Sequence, residues 1–362
     1  MSERSAEVEA ILLSGVSSVY PSAVLCFGTE SSPQQLVVGQ ATAQTWFDIA
    51  SLTKALSTTL LLMKLCDEGN IELDEEVLPG VRVCHLLAHC SGLPACFPPL
   101  WAEQNGLLTS PSLATRAQVV SAVRQTERSP AGLRSLYSDL GFIVLGQLVE
   151  QRGDARLDTQ LATWLEPLDL AIGFRPLDRT ASIPSHLCAP TRRESPQREP
   201  LQGIVHDDTA RAMLGVAGHA GLFAQAESVY RLGQALLDCY HDVPTGPRMR
   251  LGLRQETVRR FFAHPALPGL QSTWGLGFDH PDPLLPGAVS SSSAGSLWSR
   301  RGVGHLGFTG CSIWMDPDRR VVAVLLSNRV AVATVEQAEQ TKSALRSLRP
   351  ALHDAVMRNL VR

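Results

Sequence analysis

The strongest constraint on the fold is the position of β-rich apolar segments near the two ends of the chain. Residues 23–28 (AVLCFG) and 35–39 (QLVVG) form two such segments near the start, and each is closed by glycine. Near the end, the almost continuously apolar run VVAVLLSN covers residues 321–328. Short runs of this kind, bounded by turn residues, are typical of buried strands. We therefore expect one sheet assembled from both ends of the chain.

The segment between these strands reads as mainly helical. Residues 51–69 (SLTKALSTTLLLMKLCDEG) predict one long apolar helix, which ends where Gly69 and Asn70 provide a C-terminal signal. The region from about 84 to 240 has mostly helical patterning, and an amphipathic helix is expected from Val335 onward. Strands at both ends around a helical insertion predict an α+β fold.

Two more strands are expected in the last third of the chain. They cover residues 274–278 and 305–315, and the turn residues Asp-Pro-Asp follow at 316–318. Because the run at 321–328 begins shortly after this turn, the pattern predicts a hairpin. Near the start, residues 5–19 alternate charged and apolar groups at helical spacing and predict a helix.

Composition and charge narrow the class of protein. With 362 residues, of which 44% are hydrophobic and 19% charged, the chain is typical of a globular protein rather than a disordered or fibrous one. The 32 basic and 35 acidic residues give a net charge of -3, so nucleic acid is not an expected partner. The acidic N-terminal segment resembles neither an export signal nor a membrane span, and we expect a cytoplasmic protein without membrane contact.

Ser51 and Lys54 form the first pattern that carries chemistry. They stand three positions apart at the predicted helix start, so their hydroxyl and amine share one helix face and can come within hydrogen-bond reach. A serine hydroxyl becomes a good nucleophile when a neighbouring base removes its proton, and a desolvated lysine can be that base. The alternative is structural, with Ser51 as a helix cap and Lys54 as a solvated helix residue.

Two later segments add groups that suit the same reaction. Tyr137, Ser138 and Asp139 precede the apolar segment GFIVLGQLVE and bring a phenol and a polar side chain into a loop. Residues 304–310 (GHLGFTG) open a late strand, where glycines permit a close approach of the backbone.

The ordered triplet resembles the motifs of the serine β-lactamase and penicillin-binding-protein superfamily, which read S-x-x-K, then Y-x-N, then K-T-G. The resemblance is closest to the class C-like branch of serine hydrolases. It extends to five longer blocks, which are FDIASLTKALSTTLLLMKLCDEG, HLLAHCSGLP, YSDLGFIVLGQLVE, GIVHDDTARAMLGVAGHAGLF and GHLGFTGCSIWMDP.

The resemblance also implies the architecture. It implies a β-lactamase/transpeptidase-like α+β fold, with an antiparallel sheet built from both termini, flanked by helices, and a mostly helical lobe. Residues 1–362 would form a single catalytic domain with two lobes. The α/β lobe would comprise roughly 1–50 and 270–362, the helical lobe roughly 51–269, and the site would lie between them.

Residue by residue, the resemblance implies that Ser51 is the acylated nucleophile and that Lys54 and Tyr137 share the proton transfers. It implies that the backbone N–H groups of Ser51 and Phe308 form the oxyanion hole. Two donors fixed before the charge develops stabilise a tetrahedral intermediate without reorganisation. His305 replaces the lysine of the third motif and joins the catalytic set, as a donor that is neutral or charged near neutral pH.

Three positions are expected to contact substrate, namely Asp139, Leu306 and Gly307, and two of them depart from the family pattern. Leu306 replaces threonine and makes its corner of the site more apolar, which argues against recognition of a penicillin or D-Ala-D-Ala carboxylate. Asp139 replaces asparagine and exchanges an amide for a carboxylate that only accepts hydrogen bonds when ionised. A substrate amine or hydroxyl would suit Asp139 better than a carboxylate.

The remaining candidates favour structural roles. His85 and His89 stand at i and i+4, but without an H-E-x-x-H arrangement they are expected to pack rather than bind a metal. Residues 206–208 (His-Asp-Asp) are expected to cap a helix, and residues 218–221 (GHAG) either line the cleft or form a tight turn. Neither a P-loop nor a dinucleotide fingerprint is found in the sequence, so we expect no metal and no cofactor.

These observations predict a serine hydrolase that cleaves a small-molecule ester or amide through an acyl-enzyme on Ser51. The substrate classes are carboxylic esters, D-amino-acid amides or peptides, and weakly β-lactams. Two alternatives stay open. A non-catalytic member of the family would bind a peptide, glycan fragment or protein partner in the same cleft, and an acyltransferase would use the same residues. The oligomeric state is not predicted.

Overall fold

The computed structural model describes residues 3–16, 18–98, 102, 104, 106, 111–192, 199–243, 251–264, 266–267, 269–282, 292–331 and 335–361. It combines helices with antiparallel sheets. The strands are β1 (Ser22–Thr29), β2 (Ser32–Gly39), β3 (Phe47–Asp48), β4 (Glu76–Leu78), β5 (Val81–Arg82), β6 (Ile172–Phe174), β7 (Leu222–Ala224), β8 (Val303–Leu306), β9 (Ser312–Asp316) and β10 (Val321–Ser327).

The α-helices are α1 (Glu3–Ser14), α2 (Leu60–Asp67), α3 (Val83–Leu87), α4 (Leu113–Gln125), α5 (Asp139–Arg152), α6 (Leu157–Leu165), α7 (Asp208–Ala212), α8 (Ala226–His241), α9 (Gln255–Phe261) and α10 (Val335–Leu360). A π-helix covers Lys54–Thr59, and short 3₁₀ turns cover Glu166–Leu168 and Ser185–Leu187. Within the residues described, we find no helix with the length and apolar character needed to cross a membrane.

Five strands form the main sheet in the order β2–β1–β10–β9–β8, and every neighbouring pair is antiparallel. Strand β1 lies beside β10 from the far end of the chain, with Ala23 opposite Ser327. This pairing confirms the predicted sheet built from both ends. The predicted hairpin at 316–318 is also present, because Asp316 and Val321 are partners across it.

Helices cover both faces of this sheet, which explains why β10 is apolar at nearly every position. Side chains alternate between the two faces of a strand. Leu25 of β1 belongs to a buried cluster that includes residues of α1 and α10, whereas its neighbour Val24 belongs to a larger cluster that includes residues of α8. The contact with α8 is close, because a Cβ atom added to Gly233 would lie 2.9 Å from Val322 Cγ1.

A second, three-stranded sheet includes two short strands from residues 84–240, the region predicted to be mostly helical. Its strand order is β3–β7–β6, and each strand has only two or three residues. Runs this short carry no readable alternation, so the sequence pattern could not reveal them. The sheet matters for the site, because β3 ends directly before the turn that carries Ser51.

The long helix predicted over residues 51–69 begins differently from a regular α-helix. Its first part, Lys54–Thr59, is a π-helix whose six residues are all buried, and α2 continues from Leu60 to Asp67. Short π-helical segments are rare and occur frequently at functional sites. The apolar run was read correctly as a buried helix, but its period does not distinguish the two helix types.

The predicted strands near the end of the chain also need correction. The segment 305–315 is not one strand, because a turn at residues 307–311 separates β8 from β9. The segment 274–278 forms no strand. Trp274 makes an isolated bridge with Asp279, and Gly275 donates a backbone hydrogen bond to Phe278 O at 2.7 Å, which closes a tight loop. Glycines at 275 and 277 explain how an apolar segment can turn so sharply.

Candidate active site

Ser51 lies in the turn between β3 and the π-helix, and Lys54 is the first residue of that helix. Lys54 Nζ donates a hydrogen bond to Ser51 Oγ at 3.1 Å and another to the backbone oxygen of His219 at 3.0 Å. The Lys54 side chain is fully buried, whereas Ser51 is partly exposed. The structural alternative of a solvated lysine is therefore wrong, and the predicted contact between hydroxyl and amine is present.

The turn before Ser51 is held by a carboxylate that sequence reasoning missed. Asp48 is buried and accepts hydrogen bonds from the backbone N–H groups of Ala50, at 2.8 Å, and His206, at 2.7 Å. Ala50 adopts the left-handed conformation, with φ of 47°, which is unfavourable for a residue with a side chain. Burial raises the pKa of Asp48 to about 6, although the two backbone donors oppose this shift. Asp48 thus stabilises a strained turn directly before Ser51.

Tyr137 approaches the same two groups from the loop that precedes α5. Lys54 Nζ lies 4.9 Å from the centre of its ring, and hydrogen bonding from Lys54 and Ser51 acts to lower the pKa of its hydroxyl. Burial raises the pKa of Tyr137 above its usual value, while the charge of Lys54 opposes the shift. The phenol is therefore neutral near neutral pH, and all three side chains implied to move protons are in mutual contact.

His89 supports Tyr137, a role that sequence reasoning did not assign. Its ring lies 4.5 Å from that of Tyr137 and 4.6 Å from that of Trp274, centre to centre. Its Nδ1 atom accepts a hydrogen bond from Ser138 N at 3.0 Å, and burial lowers its pKa well below the usual value. His85 is used elsewhere, because its Nδ1 atom accepts a hydrogen bond from Arg82 N at 3.1 Å. The two histidines thus serve separate structural contacts.

Asp139 is the first residue of α5 and forms an ion pair with Lys54, with Oδ1 2.6 Å from Nζ. Ser138 caps this helix, because its Oγ atom accepts a hydrogen bond from Gly141 N at 3.3 Å. Burial is the largest influence and lowers the pKa of Lys54, but Asp139 and Tyr137 together outweigh burial, so the pKa is raised overall. The carboxylate that was expected to meet a substrate amine or hydroxyl is thus paired with Lys54.

His305 lies in the edge strand β8 and is buried beside Lys54, Tyr137 and Trp274. Its Nδ1 atom lies 2.9 Å from Leu306 O, and Nε2 is buried without a hydrogen-bond partner among the described residues. Burial, followed by the charge of Lys54, lowers the pKa of His305 to about 3. Of the two protonation states that the sequence allowed, the neutral form is favoured.

The turn after β8 brings Gly307 and Phe308 against the turn that carries Ser51. A Cβ atom at Gly307 would lie 2.5 Å from Ile49 O, so only glycine permits this approach. Gly307 N donates to Cys311 O at 2.7 Å, which leaves the Phe308 N–H outside the turn's own hydrogen bonds. Among the described residues, neither Ser51 N nor Phe308 N donates a hydrogen bond.

Two buried arginines hold the outer side of this turn. Arg349 of α10 donates to Gly307 O at 2.9 Å and to Cys311 O at 2.7 Å. Arg329 donates to Phe308 O at 2.6 Å, and its guanidinium lies 4.7 Å from the centre of the Phe308 ring. Because the carbonyl groups of residues 307 and 308 point to these cations, the turn is fixed before any ligand binds.

The segment 218–221 was expected either to line the cleft or to form a tight turn. It packs against Lys54, which donates a hydrogen bond to His219 O. A Cβ atom at Gly218 would lie 2.1 Å from Phe142 O, and Gly218 O accepts a hydrogen bond from Thr58 Oγ1 at 2.7 Å. His219 Nε2 lies 2.9 Å from Asp207 Oδ1, and Asp207 caps α7 by accepting from Ala210 N at 2.7 Å. The predicted helix cap in 206–208 is thus confirmed. Burial acts to raise the pKa of Asp207, but the contact with His219 holds that pKa well below its usual range.

A cavity of about 340 Å³ opens in front of these groups. It is lined by Ser51, Tyr137, Trp274, Asp279, His305, Leu306, Gly307, Phe308, Arg329, Lys342, Leu345, Arg346 and Arg349. One side is mainly aromatic and aliphatic, and the side formed by α10 carries basic groups. Asp139 is not among the lining residues, so two of the three expected substrate contacts, Leu306 and Gly307, face this cavity.

Comparison with known proteins identifies the family. The family model described as Beta-lactamase matches residues 20–346 of this chain. A protein named putative D-alanyl-D-alanine carboxypeptidase from Salmonella enteritidis PT4 is 30% identical over 324 residues, which cover 80% of this chain and 71% of that protein.

Solved structures share the fold. EstCE1, described as a hydrolase with promiscuous acyltransferase activity, has a TM-score of 0.69 and 17% identity, with 96% of this chain and 98% of that one covered. The D-amino acid amidase from Ochrobactrum anthropi SV3 has a TM-score of 0.68 and 16% identity, with 99% of both chains covered. The matched family range includes all three motif segments found in the sequence. The chain therefore belongs to the beta-lactamase family of serine hydrolases.

Proposed function

We propose that this protein is a serine hydrolase that cleaves an ester or amide through an acyl-enzyme on Ser51. The observation that carries the proposal is the contact between Lys54 Nζ and Ser51 Oγ at 3.1 Å, with the centre of the Tyr137 ring 4.9 Å from the same amine. A cleft that only binds a ligand has no need of a buried lysine directed at a serine hydroxyl. The arrangement therefore supports catalysis over the binding-only alternative.

In the first step, Ser51 Oγ attacks the substrate carbonyl carbon and its proton passes to the amine of Lys54, directly or through Tyr137. The carbonyl electron pair moves onto the oxygen, which accepts hydrogen bonds from the backbone N–H groups of Ser51 and Phe308. Collapse of this intermediate breaks the bond to the leaving group, which takes up the proton. Water then attacks the acyl-enzyme in the same way and releases Ser51.

The cavity supports an apolar group next to the scissile bond. Leu306, Phe308 and Trp274 line it beside Ser51, and Phe308 is 51% exposed. Because burial of such surface stabilises an apolar ligand group, a carboxylic ester with an aliphatic or aromatic substituent is the preferred substrate class. Hydrolysis and transfer to an acceptor other than water use the same residues, and EstCE1 is described with both activities.

A second candidate is an amide or peptide substrate with a free carboxylate. It is favoured by the basic side of the cavity, where Lys342 and Arg346 of α10 are lining residues. The replacement of threonine by Leu306 argues against carboxylate recognition, but basic residues of α10, distant in the sequence, also line the cavity. The relative named putative D-alanyl-D-alanine carboxypeptidase fits this second class.

Covalent labelling tests the proposal directly. The purified protein is treated with a fluorophosphonate, and separately with a p-nitrophenyl ester, and intact mass and peptide mapping locate the adduct. We expect one adduct on Ser51 that is lost in Ser51→Ala and retained in Ser57→Ala, which removes a buried hydroxyl from the π-helix that follows Ser51. No adduct, or an adduct that survives Ser51→Ala, would support the binding-only alternative instead.

A further inference from the structure

Lys54 is enclosed by polar groups from every element packed against it. These groups are Tyr137 before α5, Asp139 at the start of α5, His89 after α3, His305 in β8, Asp207 at the start of α7 and the His219 carbonyl. Asp139 and Asp207 are the carboxylates of this set. Asp207 is bonded to His219 and to Ala210 N, whereas Asp139 contacts the ammonium group itself at 2.6 Å.

The neighbouring third motif contributes no opposing positive charge. His305 stands where the motif resemblance has a lysine, and its ring is buried with Nδ1 against Leu306 O. Both departures from the motif pattern act in the same direction. A carboxylate is added next to Lys54 at position 139, and a cation is absent at position 305, so the surroundings of Lys54 stabilise its charged form.

We propose that Asp139 is a positioning residue that holds the proton on Lys54 in the resting site, so that acylation of Ser51 accelerates as the pH rises. This inference rests on the proposed function, because it concerns the group that takes the Ser51 proton. Lys54 can accept that proton only as a neutral amine. The ion pair with Asp139 stabilises the ammonium form, and the amine form is correspondingly scarce near neutral pH.

The same contact with Asp139 makes Lys54 a stronger base once Lys54 has lost its proton. When the Ser51 oxygen bonds to the substrate carbonyl carbon, the Ser51 proton moves to the Lys54 amine and the carbonyl electrons move to oxygen. The carboxylate of Asp139 faces the new ammonium group. A base of higher pKa takes up a proton more strongly. Removal of the carboxylate should therefore allow acylation at lower pH and slow it at high pH.

The test measures the rate of fluorophosphonate labelling of Ser51 as a function of pH. In the wild-type protein we expect the rate to rise through the alkaline range. In Asp139→Asn the midpoint of this rise should move to lower pH by about one unit or more, the usual effect of one adjacent charge. Asp139→Glu keeps the charge and should retain the alkaline midpoint. Asp178→Asn, which removes a carboxylate that pairs with Arg156, is the matched control and should behave as wild type.

Each outcome is decisive. An unchanged midpoint in Asp139→Asn would overturn the inference while the labelling itself still supports the proposed function. A wild-type protein that is not labelled on Ser51 at any pH would contradict the proposed function, and the inference with it. If circular dichroism shows that Asp139→Asn does not fold, His305→Lys replaces it. A second cation facing Lys54 should also lower the midpoint, and an unchanged midpoint in that variant would overturn the inference.

Discussion

His89 positions Tyr137: the two rings lie 4.5 Å apart, and His89 Nδ1 accepts the backbone N–H of Ser138, the residue that follows the tyrosine. The imidazole therefore contacts both the ring and the backbone of the segment that brings the phenol to Lys54. His89 itself adopts the left-handed conformation, with φ of 52°. Substitution of His89 can therefore remove the hydrogen bond to Ser138 N and can also place a less tolerant side chain in the left-handed conformation.

Substitution of His89 should impair catalysis without direct contact with substrate. His89→Leu removes the acceptor for Ser138 N and places a bulky residue in a left-handed conformation, which together should cost about 2–4 kcal/mol of unfolding free energy. His89→Asn tolerates that conformation better and should be milder. Urea unfolding and steady-state kinetics with a p-nitrophenyl ester measure both effects, and kcat should fall more than KM rises. Wild-type stability and kcat in His89→Leu would contradict this role.

Asp48 should be required for the conformation of the turn that carries Ser51. Both of its carboxylate oxygens accept backbone N–H groups, from Ala50 and His206. In Asp48→Asn the amide nitrogen, itself a donor, faces one of these two backbone N–H groups. This should lower the unfolding free energy by about 1–3 kcal/mol and slow labelling of Ser51. Asp74→Asn, at an exposed carboxylate, is the control. The prediction fails if Asp48→Asn labels at the wild-type rate.

Arg346 should discriminate between substrates with and without a carboxylate. It is exposed, lines the cavity and donates no hydrogen bond within the described part of the chain. Arg346→Ala should raise KM for a carboxylate-bearing amide by about two- to fivefold, the size of an exposed ion pair, and leave a neutral ester unaffected. Arg358→Ala, on the same helix and paired with Glu7, should change neither value. Equal effects on both substrates would argue against the second candidate function.

Buried histidines should make the protein less stable in acid. Burial lowers the pKa of His280 and His305 to about 3 and that of His353 to about 4. Between these values and the ordinary pKa of about 6.5, the unfolded chain binds more protons than the folded one. The stabilisation is therefore complete above about pH 6.5 and is lost as the pH falls, by about 1.4 kcal/mol per pH unit for each group.

Urea unfolding at several pH values measures this dependence. His353→Gln removes one of the buried groups and should reduce the slope by about one proton's contribution. His186→Gln removes an exposed histidine and should not change it. A slope that is the same in wild type and His353→Gln would show that His353 does not contribute.

Much of the fold was readable because β1, β2 and β10 have seven or eight residues each, and β1 and β10 are apolar and buried along almost their whole length. The turn at 316–318 has the residues that turns favour. The small sheet was not readable, because β3, β6 and β7 have at most three residues. The two-lobe division stays a prediction.

The candidate site was likewise only partly predictable from the sequence. The motif spacing brought Ser51, Lys54, Tyr137 and His305 to attention, and the structure places these residues together. The contacts of Asp48, His89 and Asp139 could not be read from the sequence. Each depends on a partner distant in the chain or on a backbone group, and such partners have no fixed spacing. The pKa of Lys54 depends on its contact with Asp139, so the motif alone could not define it.

The pairing of β1 with β10 has a consequence for how the protein is made. These strands are about 300 residues apart, so the main sheet cannot close until almost the whole chain has left the ribosome. Until then β1, which is buried along almost its whole length in the complete sheet, has one open edge. Long-range pairing of this kind folds slowly and exposes strand edges to other chains. Production of the protein should therefore benefit from slow synthesis at low temperature.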